Sequence, residues 1–71
     1  MKIVYTRHAR QRMLERIVSE QDAEEAMRNP DSMTILGDGK MEVWKRIRDG
    51  KLKVIYKIEG DCIVVITVAT R

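Results

Sequence analysis

The chain predicts an α+β domain in which two N-terminal helices pack on one face of a four-stranded antiparallel β meander. Three observations point there. Apolar residues at helical spacing occur only before Asn29-Pro30. After Pro30, strand-prone runs alternate with the turn dipeptides Asp38-Gly39, Asp49-Gly50 and Gly60-Asp61. Seventy-one residues with no internal repeat, low-complexity stretch or linker make one domain, 1–71.

Lys2 to Tyr5, KIVY, is β-prone and reads as a first edge strand or an extended lead-in. The stretch Thr6 to Arg16, TRHARQRMLER, reads as an amphipathic helix with Thr6 as N-cap, its hydroxyl accepting from a free N–H of the first turn. Ala9, Met13 and Ile17, with Leu14 beside them, form its apolar stripe. His8, Arg12 and Arg16 share the same spacing and fall on the other side, flanked by Gln11 and Glu15. A second helix runs from Ser19 to Arg28. Ser19 and Asp22 have the spacing of a capping box, and Glu20, Asp22, Glu24 and Glu25 suit the positive end of the helix dipole. Ala23, Ala26 and Met27 supply its apolar side. Asn29 ends it, because a residue before proline is pushed out of the helical region.

The three dipeptides suit two-residue hairpin loops, which need positive φ. They divide the remainder into strands at about 33–37, 40–48, 51–59 and 62–69. Two-residue loops also set a register. One sheet face then carries Leu36, Met41, Val43, Ile47, Leu52, Val54, Tyr56, Ile58, Ile63, Val65 and Ala69, interrupted by Thr34, Lys45 and Thr67. The helices are expected on this face. The other face carries Trp44 and Ile55 among Glu42, Arg46, Arg48, Lys51, Lys53 and Lys57, with Glu42 opposite Lys57. The last strand adds Cys62, Val64, Ile66 and Val68 there, so it reads as buried on both sides. A partner chain covering its second face would make a homodimer.

Composition narrows the function. There is no Phe, so the core rests on Ile, Val, Leu and Met. The single cysteine, Cys62, rules out an internal disulfide, reads as a buried structural thiol, and suits a reducing, cytoplasmic setting. One cysteine and one histidine are too few for a structural zinc site. No apolar run approaches the ~20 residues of a membrane span, and MKIVYTRH holds no signal-peptide core. No Ser-His-Asp set, phosphate-binding glycine loop or acidic metal cluster is visible, so neither a metal nor a cofactor is expected. Net charge is only +3 but polarised: residues 1–17 carry +4, residues 18–32 carry −4, and residues 33–71 carry +3. Positive regions attract phosphate backbones, although charge also fills the surface of any small soluble domain.

Two constellations carry candidate chemistry. His8 can exchange a proton near neutral pH, and Arg12 and Arg16 can grip phosphate oxygens with paired N–H donors. RNA cleavage without a metal needs that combination: a base for the 2′-hydroxyl proton, cations on the phosphorane, and an acid for the leaving oxygen. The plainer reading is a surface histidine among helix-favouring arginines. The second constellation is Trp44 with Arg46, Arg48, Lys53 and Lys57, where an aromatic plane among cations suits an unpaired base and its phosphates. The plainer reading is a solvated sheet face. The expected register puts these sites on opposite faces, which a bulge or a helix at the sheet edge would reconcile. Lys45, Tyr56 and Thr67 offer an intermediate meeting place for His8 at the margin of the covered face.

Thr6, His8, Ala9, Arg12, Met13 and Arg16 form T-x-H-A-x-x-R-M-x-x-R, which resembles the start of domain-of-unknown-function family 4258. The likeness continues in Asp22-Ala23, Ala26-Met27, Asn29-Pro30, Leu52-Lys53-Val54-Ile55-Tyr56 and Val65-Ile66-Thr67-Val68. That family resembles the RelE- and BrnT-like ribonuclease toxins of toxin–antitoxin pairs. The resemblance implies a RelE-like fold and a toxin-like endoribonuclease that cleaves RNA without metal. It implies His8 as acid or base, Arg12 and Arg16 on the scissile phosphate, Arg46, Lys53, Lys57 and Trp44 as RNA contacts, and a small antitoxin protein as partner. Many such toxins complete their sites with a C-terminal helix, and Arg71 stands as the candidate remnant of a last functional position. A non-catalytic nucleic-acid or protein-binding module of the same fold is the alternative.

Overall fold

The structure is a computed structural model and describes residues 1–48 and 50–71. Strand β1 (Lys2–Tyr5) leads into helix α1 (Arg7–Arg16) and helix α2 (Glu20–Arg28). Strands β2 (Ser32–Ile35), β3 (Lys40–Ile47), β4 (Gly50–Glu59) and β5 (Cys62–Thr70) follow. The sheet has five strands in the order β1-β5-β4-β3-β2. It is mixed, because β1 runs parallel to β5 while every other pair is antiparallel. The expected four-stranded antiparallel meander is thus extended by the leading strand.

Both helices form for the local reasons read from the sequence. The Thr6 hydroxyl accepts from the Ala9 N–H at 3.0 Å. Ser19 and Asp22 close a reciprocal capping box, each side chain accepting from the other's N–H at 3.0 and 3.1 Å. Helix α1 packs on β5, and α2 packs on β4 and β3. Ala9, Met13, Ala23 and Ala26 meet Val43, Leu52, Val54, Val65 and Val68 in the core. The alanines let the helix backbones approach the sheet closely. Tyr5, Val18 and Tyr56 complete the cluster.

The apolar stripe of α1 is narrower than expected. Ala9 and Met13 are buried, but Leu14 is 84% and Ile17 83% exposed. Ile17 closes the helix rather than continuing it, with φ 57° and ψ 51° in the left-handed region. That geometry lets the Val18 N–H donate to the Met13 carbonyl at 2.8 Å. Glycine is the usual residue there, and an L-residue costs about 1–2 kcal/mol.

The three hairpins depart from the expected register in three ways. Trp44 lies opposite Lys53 and Ile47 opposite Gly50, a shift of two residues that leaves every face unchanged. Of the expected Asp49-Gly50 turn, Asp49 lies outside the described residues. Glu42 consequently faces Ile55 rather than Lys57, and Lys57 faces Lys40. Between β2 and β3 the connection is longer, a 3₁₀ turn at Gly37–Gly39, and the shift is one residue. Met33 and Ile35 therefore take the helix-side positions expected for Thr34 and Leu36, and remain 53% and 78% exposed. Between β4 and β5 the register holds from Glu59–Cys62 to Tyr56–Val65, then slips at a bulge. Beyond it Val54 pairs with Val68, which turns into the core, and Thr67 moves to the other face. The bulge sits where β1 stops pairing. The Thr6 N–H donates to the Val65 carbonyl at 3.1 Å, and its hydroxyl donates to the Ile66 carbonyl at 2.9 Å. One threonine thus caps α1 and bonds two successive carbonyls of β5 at the slip.

Among the described residues no helix is long and apolar enough to cross a membrane.

Candidate nucleic-acid interface

Neither helix lies over the second face of the sheet. Alternation and the bulge together decide what that face presents. Arg46 pairs with Lys51 across β3 and β4, and Lys51 and Arg71 exchange backbone hydrogen bonds of 3.0 and 2.9 Å. The three cations therefore stand abreast on one rung of the sheet. The next rung carries Ser32, Trp44, Lys53 and Ala69 in register. Like charges directly opposite one another disfavour a sheet by a few tenths of a kcal/mol or more, so this crowding needs a compensating anion or a use.

Trp44 organises the cations. The Lys53 ammonium lies 5.7 Å and the Arg71 guanidinium 5.2 Å from the centre of its ring. Attraction to the electron-rich ring face holds both long side chains in place. Of the cations expected around this ring, Lys53 lies over it, and Arg71 joins it; the ring itself is half-buried. The flat guanidinium of Arg71 offers a stacking surface in its own right. Arg46, Lys51 and Arg71 line a shallow recess of about 420 Å³ together with Arg48 and Gly50.

The nearby acid is committed elsewhere. Asp31 accepts from the Arg46 backbone N–H at 2.7 Å and approaches the Lys45 ammonium at 3.9 Å, which ties the start of β2 to β3. Arg48 makes a two-pronged bond to Asp22, at 3.3 and 3.0 Å, and holds that carboxyl below the usual carboxylate range. None of Arg16, Arg46, Lys51, Lys53 and Arg71 forms an ion pair with a described residue.

The helix constellation is only partly joined to this corner. Arg16, at the end of α1, shares a recess with Ile47, Thr70 and Arg71. Arg12 is half-buried and lies 3.5 Å from Glu15. His8 is exposed, with no hydrogen bond or ion pair to a described residue. Lys57 lies two rungs beyond Trp44 and pairs with Glu59 at 2.7 Å. The intermediate meeting place does not form: Tyr56 is buried, Lys45 turns to Asp31, and Thr67 lies on the other face. Two cations of the corner are additional to the expected contacts. Lys51 was legible by simple alternation with Lys53. The place of Arg71 was not, because only the bulge carries it to the Trp44 face. Among the described residues no group of three His, Cys, Asp or Glu side chains is placed to hold a metal ion.

Residues 5–70 match the model of a family described as a domain of unknown function (DUF4258), and the chain belongs to that family. No curated protein and no solved structure matches it.

Proposed function

We propose that this member of the DUF4258 family binds single-stranded RNA across the uncovered sheet face, with Arg46, Lys51, Lys53 and Arg71 on successive phosphates. The observation that carries the reading is the rung Arg46–Lys51–Arg71, which forms no ion pair with a described residue, beside a tryptophan that pins two of the corner's cations. Phosphate oxygens supply the missing counter-charge and release the repulsion within the rung. Arg71 and Trp44 supply flat surfaces for an unstacked base.

RNA cleavage is the second reading, favoured by the recess that Arg16 shares with Arg71. A strand lying along the corner then continues onto the flank of α1 that carries Arg12 and His8. Here the 2′-oxygen bonds to phosphorus as the bond to the 5′-oxygen breaks, leaving a 2′,3′-cyclic phosphate. His8 takes the 2′-hydroxyl proton or protonates the leaving oxygen, while Arg12 and Arg16 bear the phosphorane charge. The resemblance of the family to RelE- and BrnT-like toxins supports this reading. On it, the chain is a cytoplasmic toxin restrained by a small antitoxin protein.

One experiment separates the two. A labelled mixed-sequence RNA is titrated with the wild-type protein, with Arg46→Ala/Lys51→Ala and with His8→Ala, in EDTA and at two salt concentrations. The double variant is expected to bind at least about tenfold more weakly, with a shallower salt slope, because each phosphate contact contributes about 0.7 to that slope on a single strand. Unchanged affinity in the double variant refutes the interface. Cleavage by wild type that His8→Ala loses while retaining binding supports the enzyme, and binding without cleavage, on free RNA and on translating ribosomes, leaves the module.

A further inference from the structure

The outer surface of the helical layer carries the second irregularity of the molecule. Leu14 and Ile17, one turn apart at the end of α1, are 84% and 83% exposed. They rim a groove of about 1090 Å³ between α1 and the start of α2. Ile17 breaks two local rules at once. It holds a β-branched residue in the left-handed region, φ 57°, where glycine closes a helix without strain, and it turns an aliphatic side chain to water. A conformational outlier that also exposes apolar surface points to a use for the side chain itself.

The charges around the groove identify the occupant. Helix α1 carries four arginines and Glu15, net +3, whereas α2 carries four acidic residues and Arg28, net −3. A strongly acidic or strongly basic partner would meet one helix well and repel the other. A second copy related by a two-fold axis through Leu14 and Ile17 supplies both signs, laying its α2 against this α1 and its α1 against this α2. That arrangement is the self-complementarity an isologous interface requires.

We infer that the protein forms a two-fold homodimer through its helical layer, with Leu14 and Ile17 of both copies at the centre and the basic α1 of each copy facing the acidic α2 of the other. The Trp44 faces then lie on the outside of the dimer, pointing away from each other. The dimer is independent of what those faces bind.

Sedimentation equilibrium of the full chain tests this, with wild type compared to Ile17→Gly and Leu14→Gln. Wild type is expected at twice the 8.3 kDa chain mass, dissociating on dilution and with added salt. Each variant is expected to raise the dimer dissociation constant about tenfold or more, the loss of one buried aliphatic side chain per copy. Glycine retains the helix cap, so Ile17→Gly is expected to stay folded by circular dichroism, which separates dimer loss from unfolding. A wild-type monomer at every concentration overturns the inference. So does a dimer that both variants leave intact, which would place the contact elsewhere, such as the uncovered edge of β2.

Discussion

Replacing Gly50 by alanine tests the link between the sheet's end and the basic corner. Gly50 is not among the glycines at positive φ, so alanine suits its backbone, but the new Cβ would lie 2.5 Å from the Arg71 carbonyl oxygen. No flexible side chain can yield there, because the obstacle is main chain. The end of β5 must move away, breaking the two backbone bonds between Lys51 and Arg71. Each is worth about 0.5–1.5 kcal/mol net. The contact of Arg71 with Trp44 contributes about 0.5–1 kcal/mol more, and the stiffer unfolded chain returns about 0.4–1 kcal/mol. A net loss of about 2 kcal/mol lowers the melting temperature of a domain this size by roughly 8–16 °C. Thermal unfolding followed by circular dichroism measures it. Trp44 is the sole tryptophan, so its emission reports on the seat of Arg71 in the same sample. A melting temperature within about 2 °C of wild type together with unchanged emission would refute the reasoning, since the Arg71 strand end would then contribute neither stability nor a cation to the corner.

Tyr5→Phe is expected to stabilise the protein by about 1 kcal/mol at pH 7, measured by urea unfolding, because the buried Tyr5 hydroxyl has no hydrogen-bond partner among the described residues. Burial first, then Glu20 and Glu24, push its pKa up to about 12. The folded state therefore keeps a proton that the unfolded state releases above pH 10, so wild type loses stability from about pH 10 to 12. Tyr5→Phe lacks that contribution to the alkaline loss, and equal curves for the two proteins would contradict the assignment. Asp22→Asn removes the charge that caps α2 and holds Arg48, and is expected to cost about 1 kcal/mol at pH 7 by the same assay. Its folded pKa is depressed, chiefly by the bond from Arg48. That stabilisation is complete above about pH 4 and fades as pH falls further, so the two proteins should converge in acid.

The helices were legible because their determinants are local: Thr6, Ser19 with Asp22, and Asn29-Pro30 lie within a turn of what they terminate. The sheet faces were less so, since parity accumulates along the chain and a slip of one residue inverts it. The two-residue shift at β3–β4 was harmless, and Val43, Leu52, Val54 and Tyr56 all reached the core as expected. At the slip the Ile66 carbonyl accepts from the Thr6 hydroxyl, sixty residues away in sequence, a contact that no short-range pattern encodes. The slip exchanged Val68 for Thr67 and brought Arg71 to Trp44. Trp44, Arg46 and Lys53 were legible because they precede that slip. The exposed side of α1 was misread because Ile17 continues the apolar spacing past the point where the helix stops, and Leu14, within the helix, lies outside the face that Ala9 and Met13 bury.

The distribution of ion pairs argues that the corner's charge has a purpose beyond solubility. Elsewhere on the surface many cations meet an acid: Arg10 with Glu20 at 2.8 Å, Arg12 with Glu15 at 3.5 Å and Arg28 with Glu24 at 3.8 Å on the helices, and Lys57 with Glu59 at 2.7 Å on the sheet. Acidic residues are not scarce, since eleven stand against fourteen Lys and Arg. A surface built only to stay dissolved would intersperse both signs, as this sheet does where Lys57 meets Glu59. Instead Arg46, Lys51 and Arg71 share one rung, and Asp31, which lines a recess with Arg46 and Lys51, is turned to a backbone N–H. A 71-residue domain has little stability to spare for unmatched repulsion. On the proposed reading the counter-charge is an anion from outside the chain, and the cations of the two adjacent rungs, two residues or about 6.8 Å apart along a strand, suit a polyanion better than a single phosphate.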